Sequence, residues 1–277
     1  MAHHLKAVVF DWAGTMIDFG SCAPVEALIA AFAEEGVTLT AAEARRDMGR
    51  AKRDHVAAVL AIPSVAEAWS AARGAAAVAD DVERIYTALE PLMTLAAARH
   101  TELIPGAVAA VADARARGLK IGSNTGYTRA MMAPILEAAA AQGYAPAVTV
   151  CAGETPAGRP SPLMMWRALI ELEAWPAWRC VKVDDAPVGI AEGRAAGAWT
   201  VGLSASGNGM GLDFESWKTL SYEESKPRLA ASAEPLRAAG ADYVIETVAD
   251  LLPALKAIDY RISRGERPNL GPKAAWL

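Results

Sequence analysis

Acids, hydroxyls and one guanidinium recur in this chain at the ends of short apolar runs, where they could converge on a single site. Asp11 follows the run 5–10 and leads into Gly14 and Thr15. Ser123, Asn124 and Thr125 follow the run 119–122, Asp184 and Asp185 follow the run 180–183, and Arg159 stands before Pro160. Carboxylates, hydroxyls and a guanidinium suit a phosphate held with a hard cation, because Mg²⁺ takes a few carboxylates together with waters and phosphate oxygens. A carboxylate such as Asp11 can also be a nucleophile that accepts a phosphoryl group. Each residue has a plainer role when taken alone. An Asp closing a strand serves turns and caps, Ser123 or Thr125 can cap the next helix, and Arg159 can be a surface charge. Their shared placement favours the site.

Such placement requires strands whose ends lie side by side. The run 5–10 is apolar apart from Lys6 and ends in a glycine turn, which reads as a buried strand of a parallel sheet. Runs at 119–122, 147–150, 180–183 and 199–203 repeat the pattern, and 243–245 adds another. Helical stretches at 106–117, 128–142, 161–173, 188–196 and 247–257 separate them, and this alternation predicts an α/β fold with helices on both faces of the sheet. In such sheets ligands sit at the carboxyl ends of the strands, near the switch in strand order. The segment 21–100 breaks the alternation. Pro24 opens a helix that stops near Gly36, Thr40 and Glu43 form a capping box, and helix-rich sequence continues to Arg99 with breaks expected at Pro63 and Pro91. The expected architecture is a doubly wound, Rossmann-like core (residues 1–20 and 101–277) interrupted by a helical cap (residues 21–100). The tail 261–277 lacks periodicity and is expected to pack as an extended arm or to fray.

Composition narrows the function. The 277 residues are 53% hydrophobic and 21% charged, which excludes global disorder. The net charge of −5 argues against nucleic-acid binding. The apolar runs fall short of the ~20 residues a spanning helix needs, and no signal peptide is evident, so neither a membrane nor export is expected. Three widely spaced cysteines, Cys22, Cys151 and Cys180, form no disulfide framework or metal-binding pattern, as suits a cytoplasmic protein. His3 and His4 read as ordinary residues of the amino terminus.

The motifs Asp-Trp-Ala-Gly-Thr (11–15), Ser-Asn-Thr-Gly-Tyr-Thr (123–128), Ala-Gly-Arg-Pro (157–160) and Asp-Asp (184–185) resemble those of the haloacid-dehalogenase superfamily. Phosphatases of that superfamily carry a second Asp two positions after the nucleophile. Here Ala13 stands there, which resembles the phosphonoacetaldehyde hydrolases (phosphonatases). The stretch 48–55, Met-Gly-Arg-Ala-Lys-Arg-Asp-His, is similar to the one that carries that family's Schiff-base lysine. The spacing of Met48, Lys52 and His55 would put all three on one face of a helix, and Gly49 would allow close approach of backbone or substrate.

The resemblance implies a mechanism. Lys52 would form a protonated imine with the substrate aldehyde, Asp11 would attack phosphorus, and carbon would depart as an enamine, so that Ala13 needs no acid. His55 would move protons or else pair with an acid, Met48 would pack over the imine or in the core, and Tyr127 would face the substrate or pack on the next helix. Burial and nearby cations such as Arg50 or Arg53 would keep Lys52 partly neutral. Mg²⁺ would be held by Asp11, the backbone carbonyl of Ala13 and Asp185. Arg159, with Ser123 or Thr125, Thr15 and Gly49, would bind the substrate. The last motif departs from the family pattern: Asp184 replaces a glycine, and Gly189 replaces an acid. Rival readings are a phosphatase or phosphomutase of the same superfamily and a non-catalytic phosphate-binding relative. The resemblance also implies a homodimer, with the apolar stripe 25–32 either its interface or the cap's own core.

Overall fold

The computed structural model describes residues 4–268. Six short β-rich runs become strands β1 (Ala7–Phe10), β2 (Lys120–Asn124), β3 (Val148–Val150), β4 (Cys180–Asp184), β5 (Trp199–Leu203) and β6 (Tyr243–Ile245). They pair in parallel in the order β3-β2-β1-β4-β5-β6. This is the doubly wound order, and the switch falls between β1 and β4. Alternate residues of β1 feed the two sides: Val8 and Phe10 join one apolar layer, Ala7 and Val9 the other. A strand covered on both faces must be apolar throughout, which is why these runs do not alternate.

Five helices lie between β1 and the rest of the sheet: α1 (Ala23–Glu34), α2 (Ala41–Arg45), α3 (Lys52–Leu60), α4 (Pro63–Arg73) and α5 (Ala79–Arg99). The Thr40 capping box forms as expected: Thr40 Oγ1 accepts the Glu43 N–H at 3.2 Å, and Glu43 Oε2 accepts the Thr40 N–H at 2.9 Å. Pro63 opens α4, but Pro91 lies inside α5 without ending it. Pro91 is exposed, so water can satisfy the carbonyl it strands, while Leu89 and Met93 on the inner side keep the helix packed. Helices α1 and α5 pack together and bury Leu28, Phe32, Ile85, Leu89 and Met93 completely. Of the stripe 25–32, Val25, Ala27, Leu28, Ala31 and Phe32 are buried within this chain as the core of the inserted helices, while Ile29 and Ala30 stay partly exposed. Leu28→Ala would cost roughly 2–5 kcal/mol by leaving a cavity there.

The remaining helices wrap the sheet: α6 (Ala107–Ala116), α7 (Arg129–Ala141), α8 (Leu163–Glu171), α9 (Pro187–Ala195), α10 (Phe214–Thr219), α11 (Tyr222–Ala238) and α12 (Leu251–Ser263). Helices α10 and α11 escaped the sequence reading. Helix α11 carries Pro227 and Pro235 and buries only Ser232, Ala233 and Leu236, so its apolar period is weak. Helix α12 runs on through Ser263, three residues into the stretch read as an arm, because Ile258 and Ile262 continue its buried face. The rest of that expectation, residues 269–277, and His3 lie outside the described residues. Among the described residues no single helix is long and apolar enough to cross a membrane.

Candidate active site

Asp11 emerges from the end of β1, with Asp184 and Asp185 at the end of β4, so the acids straddle the switch point. The turn after Asp11 depends on Gly14, whose φ of +76° suits glycine and whose Cβ would lie 2.4 Å from Asp185 Oδ2. Ser206 Oγ donates to the Gly14 carbonyl at 2.8 Å, and Asp185 Oδ2 accepts the Asn208 N–H at 2.7 Å. These contacts fix the loop and the carboxylate relative to each other. Carboxylate oxygens of Asp11, Asp184 and Asp185 lie within 4.8 Å of one another, and all three residues are buried. Burial first, then the like charges, raise the Asp185 carboxyl well above the ordinary carboxylate range. Burial likewise pushes Asp11 up to about 6, against the opposing pull of Arg159. Three crowded, buried hard-oxygen donors fit a divalent cation, which would relieve that repulsion.

Arg159 is buried at the centre of a charge array. Its Nη2 lies 2.7 Å from Asp11 Oδ1 and donates to the carbonyl oxygen and Oδ1 of Asn124, each at 2.7 Å. Its Nη1 is 3.5 Å from Asp184 Oδ2 and its Nε 3.2 Å from Glu192 Oε2. Lys182 Nζ approaches the same groups, 3.0 Å from Asp184 Oδ2 and 3.5 Å from Glu192 Oε2, and donates to Asn124 Oδ1. Asn124 Nδ2 donates in turn to Glu192 Oε1 at 3.0 Å. Lys182 and Glu192 were missed in the sequence. The available signal was a lysine inside an otherwise apolar central strand.

The lysine comes from the inserted helices. Lys52 is the first residue of α3, so Met48 does not share its helix: Asp47 and Gly49 have φ of +56° and +93° and form a turn instead. The expected one-face arrangement therefore fails for Met48 and holds only for Lys52 and His55. The turn nevertheless brings Met48 back, and Lys52 Nζ lies 3.7 Å from its Sδ and 5.1 Å from the centre of the Tyr127 ring. The insert can come this close because of two glycines. A Cβ on Gly126 would sit 2.7 Å from the Arg50 carbonyl oxygen, and one on Gly49 would sit 3.0 Å from Ala186 and Val188 side chains.

Burial lowers Lys52 to about 8, with Arg159 the cation that adds to the shift while Asp11, Asp18 and Asp185 oppose it. The expected cations are engaged elsewhere: Arg53 pairs with Glu83 and Arg50 with Asp47 at 2.9 Å. Lys52 also starts a helix, where the macrodipole disfavours a cation. Its neutral amine is thus accessible near neutral pH.

A small cavity of about 20 Å³ joins these groups, walled by Asp11, Ala13, Lys52, Thr125, Arg159 and Asp185, with Met48, Gly49 and Tyr127 also lining it. Ser123, Thr15 and His55 are not walls. Ser123 Oγ is paired sideways with Thr149 Oγ1 at 2.8 Å, whereas Thr125 lines the cavity and its Oγ1 accepts the Tyr127 N–H at 3.1 Å. Thr15 is fully buried. His55 is enclosed one turn along α3, and burial followed by Lys52 pushes its imidazole down to about 3. Ser21 lines the cavity instead of Cys22, whose Sγ turns toward the Phe19 carbonyl at 3.6 Å.

This combination of a doubly wound sheet, a strand-end aspartate and paired acids matches what comparison finds. Residues 5–197 match the haloacid dehalogenase-like hydrolases, and the chain belongs to that family. Two curated relatives span nearly the whole chain. The phosphonoacetaldehyde hydrolase of Paraburkholderia phytofirmans is 46% identical, covering 96% of this chain and 99% of its own. That of Paraburkholderia xenovorans is 47% identical over the same shares. A crystal structure of a phosphonoacetaldehyde hydrolase-like protein from Oleispira antarctica superposes with a TM-score of 0.95 at 44% identity, covering 96% of this chain and 97% of that one. Within the family, this chain groups with the phosphonoacetaldehyde hydrolases.

Proposed function

We propose that this protein hydrolyses the P–C bond of phosphonoacetaldehyde to acetaldehyde and phosphate. One observation carries the reading: a buried lysine with a depressed pKa and a strand-end aspartate open into the same small cavity. Neutral Lys52 Nζ adds to the aldehyde carbon, and uptake of one proton from solvent with loss of water leaves a protonated imine. Asp11 attacks phosphorus in line with the P–C bond, whose electron pair moves toward the imine nitrogen and gives an enamine. Water then cleaves the aspartyl phosphate, and the enamine takes a proton at carbon before hydrolysis releases acetaldehyde and free Lys52. An oxygen leaving group would need an acid at position 13, and Ala13 offers none, which disfavours the phosphatase or phosphomutase reading.

The same geometry supports the remaining proposed roles. Arg159 and Thr125 face the transferring phosphoryl group, Thr125 being favoured over Ser123 because it lines the cavity and Ser123 does not. Thr15 supports the Asp11 loop from beneath, and Gly49 admits the insert to the core. Met48 and Tyr127 shield the lysine nitrogen, while neutral His55 acts through Lys52 and keeps a second cation away from it. Asp11, Asp185 and the Ala13 carbonyl would hold Mg²⁺, which would neutralise charge on the phosphoryl oxygens. We place the boundary between core (1–20 and 101–277) and cap (21–100) at the two connections flanking the inserted helices. Cytoplasmic placement is supported by three free thiols, and a homodimer, with no nucleic-acid or membrane partner, is the proposed assembly.

Reduction with borohydride during turnover of phosphonoacetaldehyde tests the imine. An adduct mapped to Lys52 supports the mechanism. Phosphate release that survives Lys52→Ala would overturn it.

A further inference from the structure

The cavity of about 20 Å³ has room for roughly one water. Phosphonoacetaldehyde is far larger, so it enters only when the insert lifts from the core, and the reacting groups meet when the insert seats again. One side chain of the insert reaches across this seam. Arg45, the last residue of α2, donates through Nη1 to the Gly20 carbonyl at 2.7 Å, the Ser21 carbonyl at 3.3 Å and Asn208 Oδ1 at 3.1 Å. Its Nη2 donates to the Gly211 carbonyl at 3.2 Å, and Asn208 Nδ2 returns a bond to the Arg45 carbonyl at 3.1 Å. A Cβ on Gly211 would fall 2.9 Å from Arg45 Nε, so that glycine admits the guanidinium. Three pieces of chain are thereby joined: the insert, the first connection at 20–21 and the core loop 206–212. The oxygens that Arg45 meets are all neutral. A buried carboxylate robbed of its cation would be stranded, whereas water can satisfy these acceptors when the contact opens. Such bonds can break and re-form in each turnover.

The connection that Arg45 grips is held in a costly shape. Asp18 and Ser21 have φ of +54° and +52°, a region disfavoured for any residue with a Cβ, and Gly20 between them has φ of +85°. Arg45 binds the carbonyl of one of these strained residues directly. Its own carbonyl also accepts the Met48 N–H at 3.3 Å, at the start of the turn that leads to Lys52. We propose that Arg45 is a positioning residue for the reaction: a latch that, with Asn208 and the strained connection at 20–21, seats the insert so that Lys52 meets Asp11 across one cavity. The inference rests on Lys52 and Asp11 acting on the same substrate.

Steady-state kinetics with phosphonoacetaldehyde, together with amide hydrogen exchange on the full chain, test the latch. Arg45→Met should lower kcat/KM by about 10–100-fold, as befits lost hydrogen bonds to a charged group. Exchange should quicken in segments 18–24 and 206–212 and stay parental in β1 and β4, a pattern that general destabilisation would not give. Adding Ser21→Gly relieves the strain at the connection, so the double variant should recover part of the lost kcat/KM, and the two changes should not be additive. Asn208→Ala removes only the far side of the latch and keeps the backbone N–H that Asp185 accepts; it should cost about 3–10-fold in kcat/KM. It decides the matter alone if Arg45→Met does not fold. Parental kcat/KM in either single variant, or exchange that quickens throughout the sheet, would overturn the latch. Failure to trap any adduct at Lys52 in the parent protein would instead remove the reading of the site on which the latch rests.

Discussion

Arg159 Nη2 stands 2.7 Å from Asp11 Oδ1 while its Nε faces Glu192 at 3.2 Å, so one guanidinium ties the carboxylate at the end of β1 to helix α9. All of these groups are buried, so each counter-charge is needed: removing one partner of a buried pair costs far more than the pair itself contributes.

Arg159→Gln should therefore damage both chemistry and folding. The loss of a fixed donor facing the phosphoryl group should lower kcat by about 10²–10³-fold, as read by phosphate release. Three carboxylates left against Lys182 alone should lower stability by roughly 3–5 kcal/mol in urea melts. Arg159→Lys should recover stability better than rate, because an ammonium cannot reproduce the planar fork.

Glu192→Gln probes the same array from behind. Glu192 does not itself line the cavity, yet its neutralisation leaves Arg159 and Lys182 with one buried acid fewer. Thermal denaturation should show a loss of about 3 kcal/mol, and kcat should fall more than KM rises as Arg159 loses its anchor. A variant with parental stability would show that Asp184 and Asn124 suffice to hold the pair.

The pH dependence follows from Lys52 at about 8. Below that value most of the amine is protonated, so the rate of borohydride-trapped adduct should rise about tenfold per pH unit from 6 toward 8 and level off above. Stability responds with a defined sign. An unfolded lysine keeps its value near 10.5, so between pH 8 and 10.5 the unfolded chain binds the extra proton and this group makes stability rise with pH. Below 8 its penalty is constant, of order 3 kcal/mol. Lys52→Met should abolish the rise and melt higher at neutral pH, checked by melts across that window.

Gly126→Ala tests the seam between insert and core. The new Cβ would sit 2.7 Å from the Arg50 carbonyl oxygen, so the Gly49–Arg50 turn must move. Water reaching Lys52 would raise its pKa back toward 10.5, displacing the trapping profile to higher pH and raising KM, while the melting temperature falls by the equivalent of about 1–3 kcal/mol. A profile centred at the parental pH would show that burial at this seam does not set the lysine.

Much of this was legible in the sequence because it is written in local patterns. Apolar runs ending in Asp11, Asn124 and Asp184 marked the three central strands, and the capping box at Thr40 and Glu43 is a purely local device. What stayed hidden depends on distance or on φ. The break between Met48 and Lys52 is imposed by positive φ at Asp47 and Gly49, which spacing alone cannot reveal. Glu192 lies in α9, far along the chain from Arg159 and Asn124, and only the folded sheet brings the three together. Choosing Thr125 over Ser123 required seeing which hydroxyl Thr149 already occupies. Helix α11 was lost because its two prolines and sparse apolar residues mimic a loop.

The two reactive side chains come from separable stretches of chain: Asp11 ends a strand of the sheet, whereas Lys52 rides on helices spliced in after it. The chemistry is divided along that splice. On the proposed mechanism, the sheet carries a general phosphoryl-accepting apparatus, indifferent to what departs, and the splice decides which leaving atom can be tolerated. Exchanging residues between the two connections would thus reprogram the scissile bond while leaving the acceptor side untouched, which makes the insert the natural unit for redesign.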